Sequence, residues 1–115
     1  MSFLNNLSSI NNMMQQAQEF QGKFAQLQKE LTEARIIAVA GAGLVSIEMN
    51  GKGEALQVHI DDSLFAENKS VLQGLIAGAI NDGAHKRQEF KDKRSKDLMG
   101  GLKLPEGITF PFMQD

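Results

Sequence analysis

The chain contains no cysteine, no tryptophan and no tyrosine, and only two prolines. Without cysteine there is no disulfide framework, no thiolate metal site and no cysteine nucleophile. A long apolar run is missing as well. The longest mostly apolar stretch, residues 36–45, is broken by Gly41 and Gly43, and it has about half of the roughly 20 residues a membrane helix needs. No lysine or arginine precedes Lys23, whereas an export signal opens on basic residues and continues as an unbroken apolar run. A soluble, cytoplasmic protein is expected. Charge of one sign is also lacking: 12 basic against 14 acidic residues give a net charge of -2. Any case for nucleic-acid binding must therefore come from local patterning.

What is present is ordinary in amount. A hydrophobic share of 42% over 115 residues suits one folded domain, expected over residues 1–115 with an extended tail at 100–115. The first segment carries Ile10, Met13, Ala17, Phe20, Phe24, Leu27, Leu31 and Ala34. Their spacing alternates between three and four without a break, which predicts a long helix with a heptad seam. At ~1.5 Å per residue the seam is roughly 37 Å long. The other face is rich in neutral glutamine (Gln15, Gln16, Gln18, Gln21, Gln26, Gln28).

The period then changes. RIIAVA at 35–40 is rich in β-branched residues, and Val45, Ile47, Met49 and later Leu56, Val58, Ile60 alternate with polar neighbours. Alternation predicts strands with one face buried. Asn50-Gly51 is a hairpin signal, because both residues tolerate positive φ. Three antiparallel strands in a meander follow. A second long helix is expected from about Asn68 to Met99, capped by Asn68 or Ser63 and ended by Gly100-Gly101. The fold class is α+β, in the order helix, three strands, helix, tail.

The second helix changes character along its length. At 100° per residue Leu72, Leu75, Ile76, Ala79, Ile80 and Gly83 share an arc of about 140°. Projected onward, that arc holds Lys86, Phe90, Lys93 and Arg94, with Arg87 at its edge and Lys91 just beyond. Unpaired cations are rarely buried, so the helix is expected to leave the core near Gly83. Residues 85–96 carry six basic groups (Lys86, Arg87, Lys91, Lys93, Arg94, Lys96) against Glu89 and Asp92, a local excess of four positive charges; the rest of the chain has an excess of six negative ones. Such a stripe suits phosphates. A solvated helix end, where cations meet the negative pole of the dipole, accounts for the same residues.

Other groups point to less. Gly41-Ala42-Gly43 resembles half a phosphate loop, but a strand-like run follows it rather than a helix, so a turn or bulge is the better reading. His59 and His85 share no constellation with a serine or carboxylate that would make either catalytic. Glu48, Glu54, Asp61 and Asp62 are explained by turns and caps. No catalytic, metal or cofactor-binding residue is identified.

Taken in order, A-G-A-G-L-V at 40–45, N-G-K-G-E at 50–54, V-x-I-D at 58–61, Ser63-Leu64, Asn81-Asp82 and G-L-x-L-P-x-G at 101–107 resemble the YbaB/EbfC family of bacterial nucleoid-associated proteins. The resemblance implies a non-enzymatic homodimer whose sheets build a common body and whose long helices project like tweezers. It implies duplex DNA binding with little sequence preference, in the cytoplasm at the nucleoid. By position, the contacts would be Lys86, Arg87, Lys91, Lys93, Arg94 and Lys96, with Lys23 and Lys29 of the first helix. The dimer interface would include Val45, Ile47, Met49, Val58 and Ile60. The sequence departs from relatives at 37–40, at Asp62 and in a lysine-poor first helix. Two other readings stand beside DNA binding: a dimeric module holding a replication or recombination protein, and a small-ligand site near Gly41.

Overall fold

A computed structural model describes residues 2–100, with side chains from Leu7 onward. Helix α1 spans Ser2–Glu33, strands β1, β2 and β3 span Ile36–Ala40, Val45–Met49 and Ala55–Ile60, a short 3-10 helix spans Asp62–Ala66, and α2 spans Lys69–Met99. The class is α+β, as the patterning predicts. The G-L-x-L-P-x-G motif lies outside the described residues. The described residues divide into two compact units, 30–93 and 2–29 with 94–100.

In the unit Glu30–Lys93 the strands form one antiparallel meander, ordered β1-β2-β3. Ala38 lies opposite Ile47, and Ile47 opposite Val58. Ile36, Ala38, Val45, Ile47 and Met49 are buried and cluster with Leu64 and Ala79; Leu72, Leu75, Ile76 and Phe90 of α2 pack against them. The period-two and helical stripes thus meet as one core. At Gly83 helix and sheet lie close together. A Cβ there would run into the Met49 methyl and lie 3.0 Å from the Ala38 side chain. The expectation that α2 leaves the core at Gly83 is corrected: Phe90, nearly two turns on, still packs against it. Glycine at 83 marks an approach, not an exit.

Two turns shape the sheet. Gly41, Ala42 and Gly43 all have positive φ (62, 56 and 93°), and the Leu44 N–H donates to the Gly41 carbonyl at 3.2 Å. The segment is a turn between β1 and β2, as expected. In the second turn the buried Asn50 side chain accepts from the Lys52 and Glu54 amides, each at 3.0 Å, and donates to Glu54 Oε1 at 2.8 Å. The positive φ falls at Gly53 (86°), not at Asn50-Gly51. After β3, the Asp61 carboxylate accepts from the Ser63 amide at 3.0 Å and its hydroxyl at 2.6 Å, capping the 3-10 helix. Both bonds, the hydroxyl foremost, lower the Asp61 pKa.

In the other unit Leu27, Ser95 and Met99 are buried. Phe20 and Phe24 stack with centroids 5.9 Å apart. The heptad seam of α1 is open at its start: Ile10 and Met13 are 51 and 67% exposed, as are Leu7 (42%) and Met14 (57%) beside it.

Candidate nucleic-acid interface

The cations of α2 do not form one free row. Within Glu30–Lys93, Phe90 points at the core and the cations flank it. On a helix of 100° per residue, Lys86 and Lys93 fall on one flank and Arg87 and Lys91 on the other. Long cationic stems cover apolar surface while their heads stay wet, which lets the arc carry charge without leaving the core.

Lys86 is spent on the fold. Its Nζ lies 2.9 Å from Asp82 Oδ2 and donates to the Ile37 carbonyl at 3.0 Å. Asp82 also accepts from the Val39 amide at 2.9 Å. The Lys86 bond, then the Val39 amide, hold the Asp82 carboxyl below its ordinary pKa. Arg87 lies over the second turn: a Cβ on Gly53 would meet its Cδ at 2.9 Å. Arg87 also lines an apolar cavity of about 220 Å³ with Ile47, Met49, Ala55, Ile80 and Ala84.

Lys91 and Lys93 make no salt bridge among the described residues; Lys91 is half-buried and Lys93 exposed. The neighbouring acidic groups are occupied elsewhere: Glu89 pairs with His85 at 2.9 Å and Asp92 accepts from Gln88 at 2.9 Å. In the other unit Arg94 pairs with Asp97 at 3.4 Å. Lys96 and Lys29 are exposed and Lys23 half-buried, with no salt bridge among the described residues.

The residues expected at a dimer interface also divide. Val45, Ile47 and Met49 are 0, 4 and 6% exposed and belong to the chain's own core. Val58 is 52% exposed and Ile60 half-buried. Sequence reading missed Ile80, which is assigned to the core by its stripe yet is 53% exposed beside the cavity. It also missed the structural use of Asp82, although the i,i+4 spacing to Lys86 was a readable signal. Among the described residues no group of three histidines or carboxylates could hold a metal, and no helix is long and apolar enough to cross a membrane.

Residues 6–102 match the sequence model of the YbaB/EbfC DNA-binding family. The chain belongs to the YbaB/EbfC family. Its match runs through both compact units. The nucleoid-associated protein MCA1327 of Methylococcus capsulatus is 46% identical over 103 residues, which is 90% of this chain and 96% of that one. The crystal structure of the uncharacterized protein HP0035 from Helicobacter pylori is similar with a TM-score of 0.62 at 30% identity, covering 70% of this chain and 85% of that one. The YbaB/EbfC assignment agrees with the motif order at 40–45, 50–54 and 58–61.

Proposed function

We propose that this chain is a nucleoid-associated protein of the cytoplasm that binds duplex DNA, without catalysis, mainly through the phosphate backbone. Family membership supports the ligand. The observation that carries the binding mode is the pair of cations on α2, Lys91 and Lys93, that make no salt bridge among the described residues, while Glu89 and Asp92 are engaged by His85 and Gln88. Lys96, Lys23 and Lys29, also without a salt bridge among the described residues, supply further charge, and Arg87 and Arg94 stand second because each already has a local neighbour. Lys86 is the weakest contact, since its ammonium group is held by Asp82 and Ile37.

The chain is further proposed to work as a homodimer. β3 is largely open: Val58, opposite Ile47, is 52% exposed and Leu56 47%, and Ile80 of α2, which lines the cavity with Ile47, is 53% exposed. A second copy is the natural cover for such a patch. The interface is therefore drawn from Val58, Ile60, Leu56 and Ile80, with Ile47 and Met49 at the cavity floor.

Duplex DNA titrated at several salt concentrations tests the reading. Log affinity should fall linearly with log salt, and Lys91→Glu with Lys93→Glu should weaken binding at least about tenfold and reduce the slope by about two. Binding unchanged by that reversal removes α2 as the contact surface. The second reading, a module for a replication or recombination protein, draws on the exposed apolar residues of α1: Ile10 and Met13 on the seam, with Leu7 and Met14 beside them. It expects a protein partner that survives nuclease treatment and binding that is nearly salt-independent.

A further inference from the structure

β1 is one of the two edges of the sheet. An edge strand leaves alternate N–H and C=O groups unpaired, and that row is a template for another strand. On β1 the row is interrupted. The Val39 N–H donates to Asp82 Oδ2 at 2.9 Å, the Ile37 carbonyl accepts from Lys86 Nζ at 3.0 Å, and the two side chains pair with each other at 2.9 Å. One carboxylate and one ammonium thus supply the acceptor and the donor that a residue of an added strand would bring. The other edge, β3, has no such cover among the described residues: Leu56, Gln57, Val58 and His59 are all exposed and none of their backbone groups is held by a side chain.

We propose that Asp82 and Lys86 close β1 to strand addition, so that a second copy of this chain can join only on the β3 side. The proposal rests on the homodimer reading above and explains why that assembly would stop at two. One open side per copy allows a twofold pair to close; two open sides let copies add without end. The need for a guard is visible in the strand itself. Ile37 and Val39 are 49 and 39% exposed, so an uncovered β1 would be an apolar, hydrogen-bonding edge. A charged guard is effective because a strand that displaced it would have to strip an ammonium and a carboxylate of their partners.

The full chain and its Asp82→Ala, Lys86→Ala double variant are compared by sedimentation velocity over a wide concentration range. The wild type keeps one size. The double variant grows with concentration to at least twice the wild-type mass. A folded double variant that keeps the wild-type mass at every concentration overturns the proposal. Amide exchange on the wild type gives a second test that needs no variant: the Val39 amide must exchange slowly although it lies on an edge, and fast exchange there overturns the proposal too. A wild type that sediments as one subunit refutes the homodimer reading alone, because the guard still requires the variant to grow.

Discussion

The Gly51 amide donates to the Leu31 carbonyl at 2.7 Å, tying the turn after β2 to the last turn of α1. Gly51 is buried there, and a Cβ would stand 2.9 Å from the Leu31 carbonyl oxygen and 3.0 Å from its Cα. Those atoms are backbone and cannot swing aside. Gly51→Ala should therefore destabilise by about 2 kcal/mol, the cost of forcing atoms into a packed site. Urea unfolding reads it as a lower midpoint with an unchanged slope.

Ser95 is fully buried, and its Oγ has no hydrogen-bond partner among the described residues. A buried hydroxyl without a partner costs on the order of 1–3 kcal/mol of desolvation. Alanine keeps the small volume and forms helix better. Ser95→Ala should raise stability by about 1 kcal/mol, measured as an increase in Tm. A decrease would show that the hydroxyl has a partner in solution.

Val58, opposite the buried Ile47, and Ile80, which lines a cavity with Ile47, are each about half exposed. Their replacement by aspartate leaves the buried residues Ile36, Ala38, Val45 and Ile47 untouched. If the chain pairs as proposed, Val58→Asp with Ile80→Asp should convert the proposed dimer to a folded monomer, seen as half the mass in light scattering with unchanged helical circular dichroism. Persistence of the dimer would move the interface off this patch.

Asp82 is held below its ordinary value of 3.8 by Lys86 and the Val39 amide, and Asp61 by the Ser63 hydroxyl and amide. A carboxyl depressed in the folded state adds stability above its unfolded pKa, and that stability is lost as pH falls through the folded one. Stability should thus begin to fall below pH ~4. Asp82→Asn and Asp61→Asn should each lower stability at neutral pH and flatten the loss on acidification, followed by urea titration between neutral pH and strong acid.

Much of the fold was legible because local periodicity and burial agreed. The alternation at Val45, Ile47 and Met49 named the buried face of β2, and the breaks at 41–43 named a turn. The spacing of α2 placed Ala79 and Phe90 on the core side, although the cations around Phe90 suggested a departure. Position within a stripe did not show which charges were already taken. Lys86 and Lys93 lie on one flank of the same helix, yet only Lys86 reaches a carboxylate and a strand carbonyl. Ile80 and Val58 carry the same apolar signal as their buried neighbours, and nothing local distinguishes them.

The amino-acid order alone determined the elements, their sequence along the chain and the family, because helix and strand periods and turn residues are local properties. Tertiary structure decided which apolar residues stay uncovered and which charges are spent. Those outcomes depend on where the α2 helix crosses the sheet, at Gly83 against Met49, and on which strand edge its side chains can reach.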